Sequence, residues 1–302
     1  MPSNSSNRTL IDSTLVFIAG STYGFIVPVI KHGSSIGIFP STFIPLQYTF
    51  SLLVCLVVMF ARRIPWSSPR KALPLILLGV CTGLTSICYY NAVTLLPSSA
   101  ALTLLFQYIW VNVLIECIHK RKLPTASTVV AVIIVLVGTV FATGLLDGGA
   151  QQLDPVGVVF GMGSALFYAL FLYLSGTFGT DQPFMLRTTM LALGGLIVSS
   201  IANPMAFVES LPNPEAWPYA MGLSCLGILI PTTIINYASP RLSAGMVSIM
   251  ASSELPVGIL AAWAIVDDVP TPLVLFGAVL VLVGIVCKQV PTLLAEMRAK
   301  KK

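Results

Sequence analysis

The residue whose type and place could do chemistry is Glu254, in Ser252-Ser253-Glu254-Leu255-Pro256, near the middle of an apolar stretch running over about 243–265. A charged side chain at such depth in a bilayer costs roughly 2.5–3.5 kcal/mol on insertion scales, so it must face protein or water rather than lipid. There it can pair with a substrate ammonium, carry a proton, or hydrogen-bond across helices for packing. Pro256 has no amide hydrogen, which frees a carbonyl one turn back near Ser252 and favours polar surroundings. Ala251, Gly258 and Ala261 share its neighbourhood at helical spacing, suiting a cavity wall or tight helix packing equally.

A second group is polar and aromatic. Gln107, Tyr108, Trp110 and Asn112 fall in the stretch 98–118, Tyr23 follows Ser21-Thr22 in the first apolar run, and Ser164 and Tyr168 lie deep in the sixth. These offer ring faces, amides and hydroxyls for a pocket wall, or ordinary interhelical hydrogen bonds. Tyr89, Tyr90 and Tyr237 stand nearer span ends, where tyrosine commonly anchors at the membrane interface. Asn236, beside Thr232-Thr233, keeps its candidacy. The expected solute-binding set is Tyr23, Gln107, Tyr108, Trp110, Tyr168, Asn236 and Glu254, with Glu254 also the proton-coupling candidate. Glu116, one turn before Lys120, reads as half of a local ion pair.

Several chemistries lack their residues. His32 and His119 have no ligand-spaced partners, and H-E-x-x-H, G-x-S-x-G and P-loop patterns do not occur. The six cysteines lie in or beside apolar runs without metal spacing, as buried thiols do. No catalytic residue, metal or cofactor is therefore expected; a membrane-embedded enzyme or a non-transporting sensor is the alternative reading. Lysine and arginine stay near span ends, Lys31 and Arg187 included, which disfavours multiply anionic solutes and points to neutral, zwitterionic or cationic ones.

The elements that position these residues follow from composition. Of 302 residues, 56% are hydrophobic and 9% charged, against about a quarter charged in soluble domains, so the partner is a lipid bilayer. The net charge of +5 is spread over short loops and a tail, which is no nucleic-acid footprint. Hydropathy and breakers give ten apolar segments, at about 11–30, 42–61, 72–94, 98–118, 126–146, 156–175, 184–203, 216–237, 243–265 and 271–290. Basic residues gather on one side if both termini are cytosolic (Arg62, Arg63, Arg70, Lys71, Lys120, Arg121, Lys122, Arg241), leaving Lys31 outside. Asp147, Asp154, Glu209, Glu215, Asp267 and Asp268 then fall on the outer side.

The chain also repeats itself. Ala92–Val140 superposes on Ala238–Val286 without a gap at an offset of 146 positions. Val135-Leu136-Val137-Gly138 meets Val281-Leu282-Val283-Gly284, and Pro124-Thr125 meets Pro270-Thr271. The loop that is Lys120-Arg121-Lys122 in one copy is Val266-Asp267-Asp268 in the other, so it faces opposite sides of the membrane. An odd number of helices per copy inverts in this way and places a solute site at mid-membrane. The fold expected is an all-α integral membrane protein, ten transmembrane helices as two inverted five-helix repeats around a central cavity. Its parts are a cytosolic tail (1–10), a first repeat (11–146), an outer linker (147–155), a second repeat (156–290) and a basic cytosolic tail (291–302). The cavity is expected from helices one, three, four, six, eight and nine.

With these residues in hand the chain resembles the EamA-type exporters of the drug/metabolite transporter superfamily over about 11–290. Tyr23-Gly24 with Pro28 and Lys31 resembles the family's aromatic-glycine pattern, tyrosine replacing the usual tryptophan; Ala165-Leu166-Phe167-Tyr168-Ala169 resembles its aromatic-alanine pattern. Glu254-Leu255-Pro256-Val257, through Trp263 to Val269-Pro270-Thr271, resembles the glutamate-proline segment, with Leu255 between residues that are often adjacent. The first copy has Gln107-Tyr108-Ile109-Trp110 where proline is usual, which implies a straighter fourth helix. The resemblance implies a basket of ten helices, alternating access, and export or exchange of small metabolites or drugs in the cytoplasmic membrane. Its carrier would be a monomer or homodimer, with protons as the candidate coupling ion.

Overall fold

The computed structural model describes residues 3–35, 40–66, 68–96, 98–143, 153–210, 214–267 and 269–300. Asp147 and Asp268, most of the expected linker 147–155, and the side chains of Lys31 and the tail 291–302 lie outside the described residues.

All described secondary structure is helical. The first apolar passage is α1 (Ser3–Tyr23) and α2 (Ile26–Ser35); the second is α3 (Pro40–Ala61), the third α4 (Pro69–Leu95). The fourth comprises α5 (Ser98–Leu105) and α6 (Tyr108–Lys120), followed by α7 (Ala126–Ala142), α8 (Pro155–Ser175) and α9 (Phe184–Ala202). A short α10 (Ala206–Ser210) precedes α11 (Ala216–Ser224), a π-helical turn (Cys225–Leu229), α12 (Ile230–Ala238) and a 3₁₀ turn (Ser239–Arg241). The last passages are α13 (Ala244–Ala251) with α14 (Glu254–Val266), and α15 (Pro272–Lys300). Both α1 and α15 overrun the apolar runs that define them, because hydropathy ends at the polar and charged residues whereas the helix continues through them.

Eight passages are long and apolar enough to cross a membrane, and Ala126–Ala142 and Pro272–Lys288 are shorter apolar helices. Their outward faces carry large apolar side chains; Val57, Phe60, Ile118, Val159 and Ile201 are each at least two-thirds exposed. A belt of that kind needs lipid to cover it. Inside, α4 packs between α8 and α9, α7 lies along α15, and α1 touches α12, α13 and α15.

Three passages are interrupted, and two of the interruptions have a visible cause. Pro28 cannot donate to the carbonyl of Gly24, and the helix turns at Gly24–Phe25; Pro256 stands in the same relation to Ser252, and the helix turns at Ser252–Ser253. The fourth passage corrects the expectation of a straight helix. It turns at Phe106–Gln107, the register equivalent of Ser252–Ser253, although Trp110 stands where the second copy has Pro256. Bonds to the neighbouring α13 hold this turn instead: Tyr108 Oη donates to the Ser248 carbonyl at 3.3 Å, and Asn112 Nδ2 donates to the Ala244 carbonyl at 3.1 Å and to Ser248 Oγ. Both helices that start at the two turns, α6 and α14, are 13 residues long. Each ends on a left-handed residue at equivalent positions, Arg121 (φ 50°) and Asp267 (φ 53°).

The repeated Val-Leu-Val-Gly blocks lie against each other. A Cβ added to Gly138 would come within 2.9 Å of the Val281 nitrogen, and one added to Gly284 within 3.3 Å of the Val135 nitrogen. Gly277 is closer still, its missing Cβ falling on the backbone nitrogen of Ala142 and the carbonyl of Gly138. Small residues allow this backbone approach, which membrane helices use in place of hydrophobic burial. Gly277→Val is therefore expected to lower the thermal unfolding midpoint in detergent, at a cost of about 1–3 kcal/mol or more. Gly222→Ala, whose Cβ would meet nothing within 4 Å, is expected to leave the midpoint unchanged.

Candidate functional site

The turn at Ser252–Ser253 puts Glu254 on the first turn of α14, about halfway between Ala244 and Val266 along the ninth passage. It is fixed there by α1. Ser253 Oγ donates to the Phe17 carbonyl at 2.7 Å, Ser21 Oγ donates to Ser253 Oγ at 3.4 Å, and Gly24 lies against the backbone of Glu254 and Gly258. A side chain on Gly24 would be 2.6 Å from the Gly258 nitrogen, so the two turns nest only because this residue is glycine.

Two adjoining chambers meet at Glu254. The larger, about 330 Å³, runs from Glu254 along α14 past Gly258, Ile259 and Ala262 to Val269, Pro270 and Thr271, with Leu102, Phe106, Ala142 and Thr143 opposite. Val269 is 71% exposed, so this chamber reaches the surface at that end. The smaller, about 110 Å³, lies between α1, α4 and α8 and takes Gln47, Tyr48, Thr85, Ser86, Tyr90 and Tyr168 into its wall, with Gly227 and Ile228 from the π-helical turn. Tyr23, Tyr89 and Glu254 belong to both. Among the described residues lining them, Glu254 is the sole ionisable acid or base of the Asp, Glu, Lys, Arg and His classes.

The rings are packed around this junction. Tyr168 meets Tyr108 edge-on at 4.6 Å between centroids and Tyr23 at 6.1 Å. Its hydroxyl is buried and bonds to the Tyr23 side chain, a contact that an incoming ligand can take over. Tyr108 is fully buried, lies behind Tyr168 and spends its hydroxyl on Ser248.

Tyr108 thus lines neither chamber, and three more of the expected residues are elsewhere. Gln107 accepts from the Trp110 indole at 2.8 Å and donates to the Thr103 carbonyl at 3.0 Å; Trp110 is 37% exposed on the outer face, and neither lines a chamber. Asn236 is buried against α9, donating to Thr188 at 3.2 Å, while its carbonyl accepts from Arg187. Arg187, near the start of α9 as its position implies, is 1% exposed and also donates to the Ser175 carbonyl, away from both chambers. Conversely Tyr89 and Tyr90, set aside in the sequence as interfacial anchors, face the chambers, as do Gln47, Tyr48, Thr85 and Ser86. The spacing of Thr82, Thr85, Ser86, Tyr89 and Tyr90 marks one face of a helix, which is the signal that finds them. Gly157 and Gly161 pack against Leu96 and Leu104 and take no part in the site.

The basic end of the helices lies beyond Glu254 from Val269. That region is crossed by polar ties. Arg241 holds Asp12 through Nε at 2.5 Å and Nη2 at 2.7 Å, and its guanidinium lies 4.3 Å from the Tyr237 ring centroid. Glu116 accepts from Lys120 at 2.7 Å and from the Gly245 amide at 3.2 Å.

A cavity that reaches the surface beside Val269 in a helical membrane protein and carries one carboxyl at its middle has the outline of a carrier. The EamA-like transporter family matches residues 11–144 and again 155–287. The chain belongs to this family. It is thus a multi-spanning secondary-active transporter of the drug/metabolite superfamily, and not an enzyme. No curated protein matches the transporter's sequence. One solved crystal structure aligns over 97% of this transporter and 98% of its own chain, with TM-score 0.75 at 16% identity, which establishes a shared fold.

Proposed function

We propose that this transporter exports or exchanges a small neutral, zwitterionic or cationic solute by alternating access, with Glu254 as the charge partner or proton carrier. The observation that carries the reading is the pair of chambers, open beside Val269, meeting at Glu254 and free of lysine and arginine among their described walls. Alternating access needs two halves that trade shapes around such a site.

The halves proposed are two inverted five-helix repeats, 11–146 and 156–290, joined by the linker 147–155 and making ten crossings. Matched turns at Phe106–Gln107 and Ser252–Ser253 support this, as do matched left-handed ends at Arg121 and Asp267. The contact of α7 with α15 supports it further. Gly138 meets Val281, the counterpart of Val135, and Gly284, the counterpart of Gly138, meets Val135. Reciprocal contacts of that kind are what a two-fold relation produces. The basic residues favour both termini cytosolic in the cytoplasmic membrane, so the chambers open outward.

Counterflow in proteoliposomes tests the reading, with a panel of amino acids, amines, nucleosides and cationic drugs. Saturable exchange of one class is expected. Flux that neither saturates nor exchanges would mark a channel instead.

A further inference from the structure

The two chambers differ in chemistry as well as size, and Glu254 sits at the border. The wall of the larger is largely aliphatic (Leu102, Ala142, Ile259, Ala262 and Val274) with Thr143 and Thr271 among them; that of the smaller mixes Gln47, Tyr48, Thr85, Ser86, Tyr90 and Tyr168 with Ile26, Ile30 and Ile228. Resting on the carrier reading above, we propose that the cargo is an amphipathic monocation. Its compact ammonium head occupies the tyrosine- and hydroxyl-lined chamber against Glu254, and its apolar tail lies along α14 toward Val269.

Each part of that assignment has its own physical ground. One carboxyl with no basic residue among the described walls balances one positive charge; a second cation would be unpaired, and a solute carboxylate would find no cation to meet it. The faces of Tyr23, Tyr89, Tyr90 and Tyr168 attract an ammonium through their ring quadrupoles, more strongly when water is displaced. The Tyr168 hydroxyl, on a side chain 7% exposed in the wall of the smaller chamber, can accept from an ammonium N–H. Along α14 the larger chamber presents Gly258, Ile259 and Ala262 with Leu102 and Ala142 opposite, so a solute tail gains there by burying apolar surface. A compact polar solute such as an amino acid of short side chain would leave that chamber unused.

The test is calorimetric binding to the purified full chain in lipid nanodiscs, using ethyl-, butyl- and hexylammonium, with alanine, ethanolamine and hexanoate as comparisons. The dissociation constant is expected to fall by about fourfold per methylene added, the value that burying each one implies. Hexanoate and alanine are expected not to compete. Ala262→Leu should penalise hexylammonium at least tenfold more than ethylammonium, since leucine there occupies tail space. Tyr168→Phe should weaken all three amines by a similar factor, since it removes a contact to the head. A dissociation constant independent of tail length, or alanine binding more tightly than hexylammonium, would overturn the proposal using the unaltered chain alone. If counterflow then succeeds with another solute, the carrier reading survives and only the amphipathic cargo is lost; if no solute exchanges, both fail.

Discussion

Arg241→Met is expected to destabilise the transporter more than Asp12→Asn does, and to do so by about 3 kcal/mol. The two partners of this ion pair are unequally placed. The Asp12 side chain is 2% exposed and that of Arg241 29% exposed. Removing the arginine strands a charge inside the protein, whereas removing the carboxylate leaves a long cation that can reach toward the membrane surface. Combining the two substitutions should recover much of the loss, because no charge is then left uncompensated. Thermal unfolding of the three variants in detergent measures this order. Equal midpoints for the two single variants would contradict it. The pair joins α1 to the turn before α13, at the basic end of the helices, so a second readout is available. Cysteine accessibility at that end should rise in Asp12→Asn, because a tie across it has gone.

Glu254→Gln is expected to reduce gradient-driven flux by roughly a hundredfold, the scale on which truncating one side of a buried charge pair acts. The amide keeps the shape of the side chain, and the nest of Gly24, Ser253 and Gly258 that positions it is made by backbone and by Ser253, so folding should survive. If the carboxyl carries the coupling proton, the variant should also lose the pH dependence of transport while retaining solute exchange. Measurement of flux against external pH in proteoliposomes decides this, and an unaltered profile would place the coupling group elsewhere.

How far these residues could be read from sequence depended on what kind of information each required. Glu254 declares itself, because a carboxyl inside an apolar stretch has few places to go, and the turn beside it follows from Pro256. Tyr23 and Tyr168 were legible from their depth in apolar runs. The turn at Phe106–Gln107 was not, since nothing local forces it; Tyr108 and Asn112 hold it through bonds to residues some 140 positions away along the chain. Helix rotation was hidden as well. Hydropathy does not say which side of a helix faces inward, so Gln107 and Trp110 were retained, while Tyr89 and Tyr90 were set aside because they stand near a span end. Asp12 and Arg241 each look like an ordinary charge near a span end, and only tertiary structure shows that they meet.

The reciprocal contact between α7 and α15 has a mechanical consequence. If the halves exchange shapes during a cycle, the line about which they exchange is the one place that returns to itself. Gly138, Gly277 and Gly284, with Val135 and Val281, lie along that line. On the proposed two-repeat reading they would form an axle, whose close backbone fit resists sliding while permitting rotation, so that the cavity could open at either end without the two halves letting go of each other.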